Sequence, residues 1–199
     1  RLGLVDNDSV DLSNLQRQIL HATPDLDRPK VVSASEKLKA LNPSVNLELN
    51  QIAVKAENIR GIIKEYDFVV SATDNFASKY LINDACLLEG IPFSHGGVVR
   101  THGQTVTVLP SETACFRCIF EEPPPLGTVM PASEAGVLGA AAGMLGTIQA
   151  TEALKFVTGM GELLTDMILS FNATNMDFQK IRLNRNSNCP VCGETPTII

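Results

Sequence analysis

Short aliphatic runs alternate along this chain with stretches in which apolar positions recur every three or four residues, the mark of strands exchanging with amphipathic helices. Leu2-Gly3-Leu4-Val5 reads as a buried strand that stops at Asp6. From Lys30 to Leu41, Val31, Ala34, Leu38 and Leu41 fall at helical spacing, and Asn42-Pro43 halts the helix. Val45, Leu47 and Leu49 alternate as a half-buried strand. A short helix over Ala56–Tyr66 is followed by a buried strand, Asp67–Ala72, which runs into Thr73-Asp74-Asn75. A helix over Phe76–Glu89 and strands over Ile91–Ser94 and Gly103–Leu109 continue the rhythm. The prolines and charges of Glu121 to Gly127 exclude regular structure, so a long loop is expected from about residue 119 to 132. From Ser133 a long helix carries Gly136, Gly139, Gly143 and Gly146 at close-packing spacing. Asp166–Phe171 and Asp177–Leu183 then close the chain as a hairpin. The predicted class is α/β, a Rossmann-like and mostly parallel sheet flanked by helices, with a C-terminal antiparallel hairpin.

Composition narrows the function classes. With 199 residues, 44% hydrophobic and 19% charged, the chain can bury a substantial core, and one domain over 1–199 is expected. A net charge of −6 argues against nucleic-acid and anionic-membrane partners. No apolar run reaches the ~18 residues of a membrane span, and a reducing, cytoplasmic setting fits the cysteine usage. A strand ending in a carboxylate at Asp6 is what nucleotide-binding α/β folds use second, with the acid on ribose hydroxyls. The first strand, glycine-rich turn and first helix are therefore expected before residue 1, and the chain is expected to be a fragment.

The sharpest chemical signal is the pair of Cys-x-x-Cys motifs, Cys115–Cys118 and Cys189–Cys192. Tetrahedral zinc takes four soft ligands, and two intervening residues let one turn aim both sulfurs at one ion. Pro190 within the second turn and Gly193 after it suit a zinc knuckle. A closed four-thiolate shell is structural rather than catalytic. A thioredoxin-like redox pair and two disulfides are the rival readings. Cys86, in helical register with Leu81, reads as a core thiol. His21, His95 and His102 lack metal-ligand spacing.

Polar motifs recur along the chain, Asp6-Asn7-Asp8, Ser13-Asn14-Leu15-Gln16-Arg17, Asp27-Arg28-Pro29-Lys30 and Thr73-Asp74-Asn75, and the first and last follow predicted strands. Each alone has a plain explanation. Asp6 could belong to a turn, Arg17 to the surface, Lys30 to an exposed helix start, and Asp74 could cap the helix at Phe76. Together they offer a carboxylate for ribose, one for a metal and two cations for phosphate, at the end of the sheet where such folds bind ligands. By composition this is a nucleoside-triphosphate site.

These motifs, with Glu134-Ala135-Gly136-Val137 leading into Gly146-Thr147-Ile148-Gln149-Ala150-Thr151-Glu152-Ala153-Leu154-Lys155, resemble the MoeB/ThiF/HesA family of ubiquitin-activating-enzyme-like adenylyltransferases over essentially the whole chain. The resemblance implies ATP-dependent adenylation of the C-terminal Gly-Gly carboxylate of a ubiquitin-fold sulfur carrier of the ThiS or MoaD type, with pyrophosphate released. It implies a ribose contact at Asp6 and a phosphate-side loop at Ser13, Asn14, Leu15, Gln16 and Arg17. It also implies phosphate neutralisation by Lys30, Mg²⁺ at Asp74 beside Asn75, and a homodimer. The cysteine that some members carry in the crossover loop has no counterpart in Thr128-Val129-Met130-Pro131-Ala132-Ser133. That absence implies an adenylate without a thioester on this chain. Three alternatives stand beside this reading: an activator of a non-protein substrate, a non-catalytic partner of the same fold, and a nicotinamide-dependent oxidoreductase.

Overall fold

The computed structural model describes residues 1–125, 128 and 132–199. Contacts divide the chain into two compact units, Arg1–Val54 and Lys55–Ile199.

In the first unit, β1 (Leu2–Val5) pairs in parallel with β2 (Leu47–Asn50), Leu2 opposite Leu47. Parallel neighbours need a crossover. Here it holds two 3₁₀ turns, Leu12–Asn14 and Thr23–Asp25, and the helix α1 (Lys30–Leu41). Pro29 precedes α1, where its missing N–H costs nothing, and Asn42 ends the helix as expected. α1 buries Val31, Ser33, Ala34 and Ser35 rather than its whole apolar set, and Leu41 is exposed. The expected burial of the first strand is also incomplete. Leu2 and Val5 remain exposed, because β1 has one hydrogen-bonded neighbour among the described residues.

The second unit is built on a five-stranded sheet of order β3-β4-β5-β6-β7: Val69–Ser71, Phe93–Val99, His102–Val108, Met167–Asn172 and Asp177–Arg182. α2 (Ala56–Ile63) packs on α3 (Phe76–Glu89), the crossover between the parallel strands β3 and β4. Gly90, at φ +69°, ends α3 in a conformation that disfavours any Cβ. From β4 onward all pairing is antiparallel, beginning with a tight turn at Arg100–Thr101. The α/β reading holds, and so does the closing hairpin β6–β7. Antiparallel pairing nonetheless starts two strands earlier than that hairpin, since β4 runs seven residues to Val99 instead of stopping at Ser94. A two-residue connection can only reverse the chain.

The long helix expected from Ser133 is interrupted. α5 (Ala132–Ala135) ends at Gly136, whose φ is +78°, and Val137 bridges to Arg100 before α6 (Gly139–Thr158) begins. The short α4 (Phe116–Ile119) opens the segment expected to be loop, and part of that segment lies outside the described residues.

α6 lies across β3, β4 and β5, burying Ala141 and Leu145 against Phe171. Two buried polar side chains fix its position. Gln149 Nε2 donates to the Ser71 carbonyl at 3.0 Å and the Ser94 carbonyl at 3.3 Å. Its amide fills the space where a Cβ on Gly96 would sit, 2.6 Å away, so a side chain at residue 96 would displace the Gln149 amide from its carbonyl partners. Glu152, 1% exposed, accepts from the Thr107 hydroxyl and the Leu164 N–H, each at 2.7 Å, and pairs with Lys155.

Candidate functional site

At the end of β1, the Asp6 carboxylate accepts the Asp8 N–H at 2.8 Å, a local turn that holds both acids on one side. Lys30, in the first turn of α1, reaches back to them. Its ammonium lies 2.9 Å from Asp8 Oδ2 and 3.9 Å from Asp6 Oδ2. The 3₁₀ turn that follows is capped reciprocally: Asp11 accepts the Ser13 N–H at 2.8 Å, and Asn14 Oδ1 accepts the Asp11 N–H at 3.2 Å. Asn14 is thereby buried and structural at its oxygen, a task the sequence reading did not give it. Arg17 Nη1 donates to the Ser13 carbonyl at 2.9 Å, Leu15 is half-buried, and Gln16 is exposed.

A stronger charge network in this unit escaped the sequence reading. Asp25, 4% exposed, accepts from the Ala22 N–H at 2.8 Å, from Arg28 at 3.0 Å, and from Lys37. The Lys37 hydrogen bond, above all, holds its carboxyl down to about 2. Arg28 continues to Glu36, and Lys37 also donates to Ser33 at 2.9 Å, with His21 on the other side of that hydroxyl. Lys37 at i+4 from Ser33 was the available sequence signal.

In the second unit, Asp74 lies between β3 and α3. The helix cap is its neighbour: Asn75 Oδ1 accepts the Ser78 N–H at 2.8 Å. Asp74 is exposed and is not the cap. The carboxylate is thus left for other partners, while the Asn75 oxygen is engaged.

Lys79, one turn into α3, was also missed. Its ammonium donates to the Gly96 carbonyl at 2.5 Å and stands 3.5 Å from His95 Nε2. The residue is 9% exposed, and burial brings its pKa down to about 8 against the pull of Asp74. His95 is pushed down to about 3 by burial and by Lys79, so its ring is neutral. Lys79 shares a helical face with the buried Ile82, Asn83 and Cys86. A cation in register with core residues was the signal.

The four paired cysteines do converge. Cys115 Sγ lies 3.8 Å from Cys118, 3.6 Å from Cys189 and 3.4 Å from Cys192, and Cys118 is 3.3 Å from Cys192. All four ligand atoms fall within 4.8 Å of one another. None forms a disulfide. A tetrahedron with Zn–S bonds of ~2.3 Å has edges of about 3.8 Å, so the cluster has the dimensions of a four-thiolate cage. Hydrogen bonds from the Cys115 and Cys192 thiols draw the Cys118 thiol down, and the Asn186 N–H, 3.4 Å from its sulfur, acts in the same direction. Gly193 is required by the knuckle, since a Cβ there would lie 2.5 Å from the carbonyl oxygens of Cys189 and Ser187. Cys86, wholly buried, is the expected core thiol, and burial pushes it up to about 12.

Among the described residues no helix is long and apolar enough to cross a membrane. The fold of the chain matches crystal structures of Escherichia coli MccB. One of them, with ATP, superposes with a TM-score of 0.83 at 18% identity over 96% of this chain and 59% of that one. The chain is 41% identical, over 99% of its length, to a sulfur carrier protein adenylyltransferase of Thermus thermophilus, and covers 74% of that protein. It is 42% identical over 97% of its length to the SAMP-activating enzyme E1 of Haloferax volcanii, covering 71% of it. Bos taurus adenylyltransferase and sulfurtransferase MOCS3 is 40% identical, and this chain spans 44% of it. The ThiF family model matches residues 1–191, and with these relatives it places the chain in the ThiF family of adenylyltransferases.

Proposed function

We propose that the protein adenylates the C-terminal Gly-Gly carboxylate of a ubiquitin-fold sulfur carrier at the expense of ATP. The observation that carries this reading is the 41% identity over 99% of the chain to a sulfur carrier protein adenylyltransferase. In the reaction a carboxylate oxygen attacks the α-phosphorus, the bond to the β-phosphate oxygen breaks, and pyrophosphate leaves with the electron pair. Two anions must approach each other, so the protein's task is charge compensation and alignment. On this reading Asp6 holds the ribose, and Lys30 exchanges its bond to Asp8 for phosphate oxygens. Arg17 supplies the second cation, with Ser13, Asn14, Leu15 and Gln16 forming the loop that carries it. Asp74, uncapped and exposed, suits a hard divalent cation, and Mg²⁺ bound there would neutralise the triphosphate.

Cys115, Cys118, Cys189 and Cys192 have the chemistry and spacing for zinc, which would clamp the C-terminal segment to the root of the 119–132 stretch. A homodimer fits the outer face of α6. There Gly143 and Gly146 have nothing within 4 Å of a Cβ position, and Leu154 and Val157 are 62% and 67% exposed. The crossover run 128–133 lacks cysteine, so the product is a carrier adenylate without a thioester to this chain. The sequence also predicts that the 119–133 stretch becomes ordered over the carrier tail, and that stretch lies partly outside the described residues.

Pyrophosphate exchange by the full-length protein, screened against carriers ending in Gly-Gly, tests the reading. Asp74→Asn, Lys30→Ala and Arg17→Ala are each expected to slow exchange by roughly 10²–10³ with the fold intact. Undiminished exchange in all three would remove these residues from the catalytic machinery, and absent exchange in wild type would favour a non-catalytic partner.

A further inference from the structure

Lys79 is a buried cation with no carboxylate in salt-bridge range among the described residues. Its three N–H groups find one carbonyl, Gly96 at 2.5 Å, and one ring nitrogen, His95 Nε2 at 3.5 Å. An isolated buried ammonium is costly, and such groups are retained where an anion completes them. An ammonium can only donate, so this contact puts the His95 lone pair on Nε2 and its proton on Nδ1. His95 Nδ1 is buried without a partner. Two hydroxyl oxygens at the end of β3, Ser71 Oγ and Thr73 Oγ1, are likewise buried and unpartnered. Ser71 stands opposite His95 in the parallel β3–β4 register, which sends both side chains to one face of the sheet, the face Lys79 approaches. On the opposite face Gln149 closes the space over Gly96. The result is a set of spare donors at the carboxyl end of β3 and beside it on β4, next to the end of a parallel strand where open α/β sheets bind ligands.

We infer that Lys79, supported by Ser71, Thr73 and His95, receives the terminal carboxylate of the acyl substrate and orients it for attack. Lys79 is 9% exposed, so the ammonium is met by solvent or ligand over only a small area. Gly97 belongs to the same arrangement: a Cβ there would lie 3.6 Å from the Lys79 ammonium, and its absence leaves that side open. This assignment rests on the adenylation reading and names the group that grips the acyl end.

The test compares a Gly-Gly carrier bearing a free C-terminal carboxylate with the same carrier amidated, titrated calorimetrically into full-length protein with Mg²⁺ and a non-hydrolysable ATP analogue. Wild type is expected to prefer the acid by about tenfold, as for a charge-assisted contact. Lys79→Met should bind both forms alike, Lys79→Arg should keep the preference, and affinity for the ATP analogue should stay within about twofold in each. If Lys79→Met fails to fold, Lys79→Arg and Ser71→Ala carry the test, the first preserving the preference and the second reducing it. A preference that survives Lys79→Met overturns the inference, as does wild-type indifference to amidation. A loss confined to the ATP analogue would make the bound anion a phosphate and overturn it too. Failure of the adenylation reading is separately visible as absent wild-type pyrophosphate exchange with every Gly-Gly carrier.

Discussion

At the scale of single residues, the buried charges in this chain separate by whether they are answered. Asp25 is answered by Lys37, Arg28 and a backbone N–H, and its carboxyl is held down to about 2. Its folded value lies below the ~3.9 of an unfolded aspartate, so the stability it supplies is present above about pH 4 and is lost as pH falls towards 2. Asp25→Asn should therefore lower the urea midpoint at pH 7 and flatten its decline between pH 4 and 2. A midpoint in the variant that falls as steeply as wild type would show that the network does not govern acid stability. Lys79 is the opposite case, a cation held by one carbonyl and a neutral ring. A stability role alone would favour methionine there.

At the scale of elements, α6 is located by buried polar contacts as well as by its apolar face. Gln149 spans the carbonyls of Ser71 and Ser94, and Glu152 collects the Thr107 hydroxyl, the Leu164 N–H and Lys155. Glu152→Ala would leave these buried donors without an acceptor, at a cost of about 3 kcal/mol, read as a shift of the denaturation midpoint at constant slope. A loss below about 1 kcal/mol would mean that the helix is held by its apolar face. The second Cys-x-x-Cys turn has a comparable single point of control in Gly193, whose Cβ position is 2.5 Å from two carbonyl oxygens. Gly193→Ala should distort the turn and release metal at a chelator concentration that wild type withstands. Equal retention would remove the requirement for glycine.

At the scale of the whole molecule, the zinc and dimer proposals make separable predictions. One zinc per chain is expected by elemental analysis, and chelation should lower the melting temperature, since metal binding to such a cage is linked to folding. Protein purified without chelator that contains no zinc would eliminate the clamp. For the dimer, sedimentation of full-length protein at micromolar concentration should show two copies, and Gly143→Leu should shift it to monomer. Leucine favours helix over glycine by roughly 0.8–1 kcal/mol, so a lost dimer could not be blamed on a weakened α6. A monomer in wild type would leave that open face unexplained.

What the sequence determined by itself was whatever is encoded locally. Periodicity placed α1, α3 and the hairpin β6–β7 within a few residues, and Asn42-Pro43 marked the end of α1. Cysteine spacing identified four sulfurs that do meet, because a two-residue turn constrains each pair before the fold is known. Asp6 and Asp74 were placed after strands, and they follow β1 and β3. Local capping engages two of those groups, Asn75 as the cap that leaves Asp74 exposed and Asn14 in its own turn, whereas tertiary structure alone decided that Lys30 pairs with Asp8. It also decided the extension of β4 to Val99, the break of the long helix at Gly136, and the burial of Lys79 beside His95. Each depends on partners distant in sequence: β5 for the strand, Arg100 for the break at Val137, and Gly96 for the lysine. Hydrophobic period reports which face of an element is apolar; whether a polar group on that face finds an acceptor is set by the element packed against it.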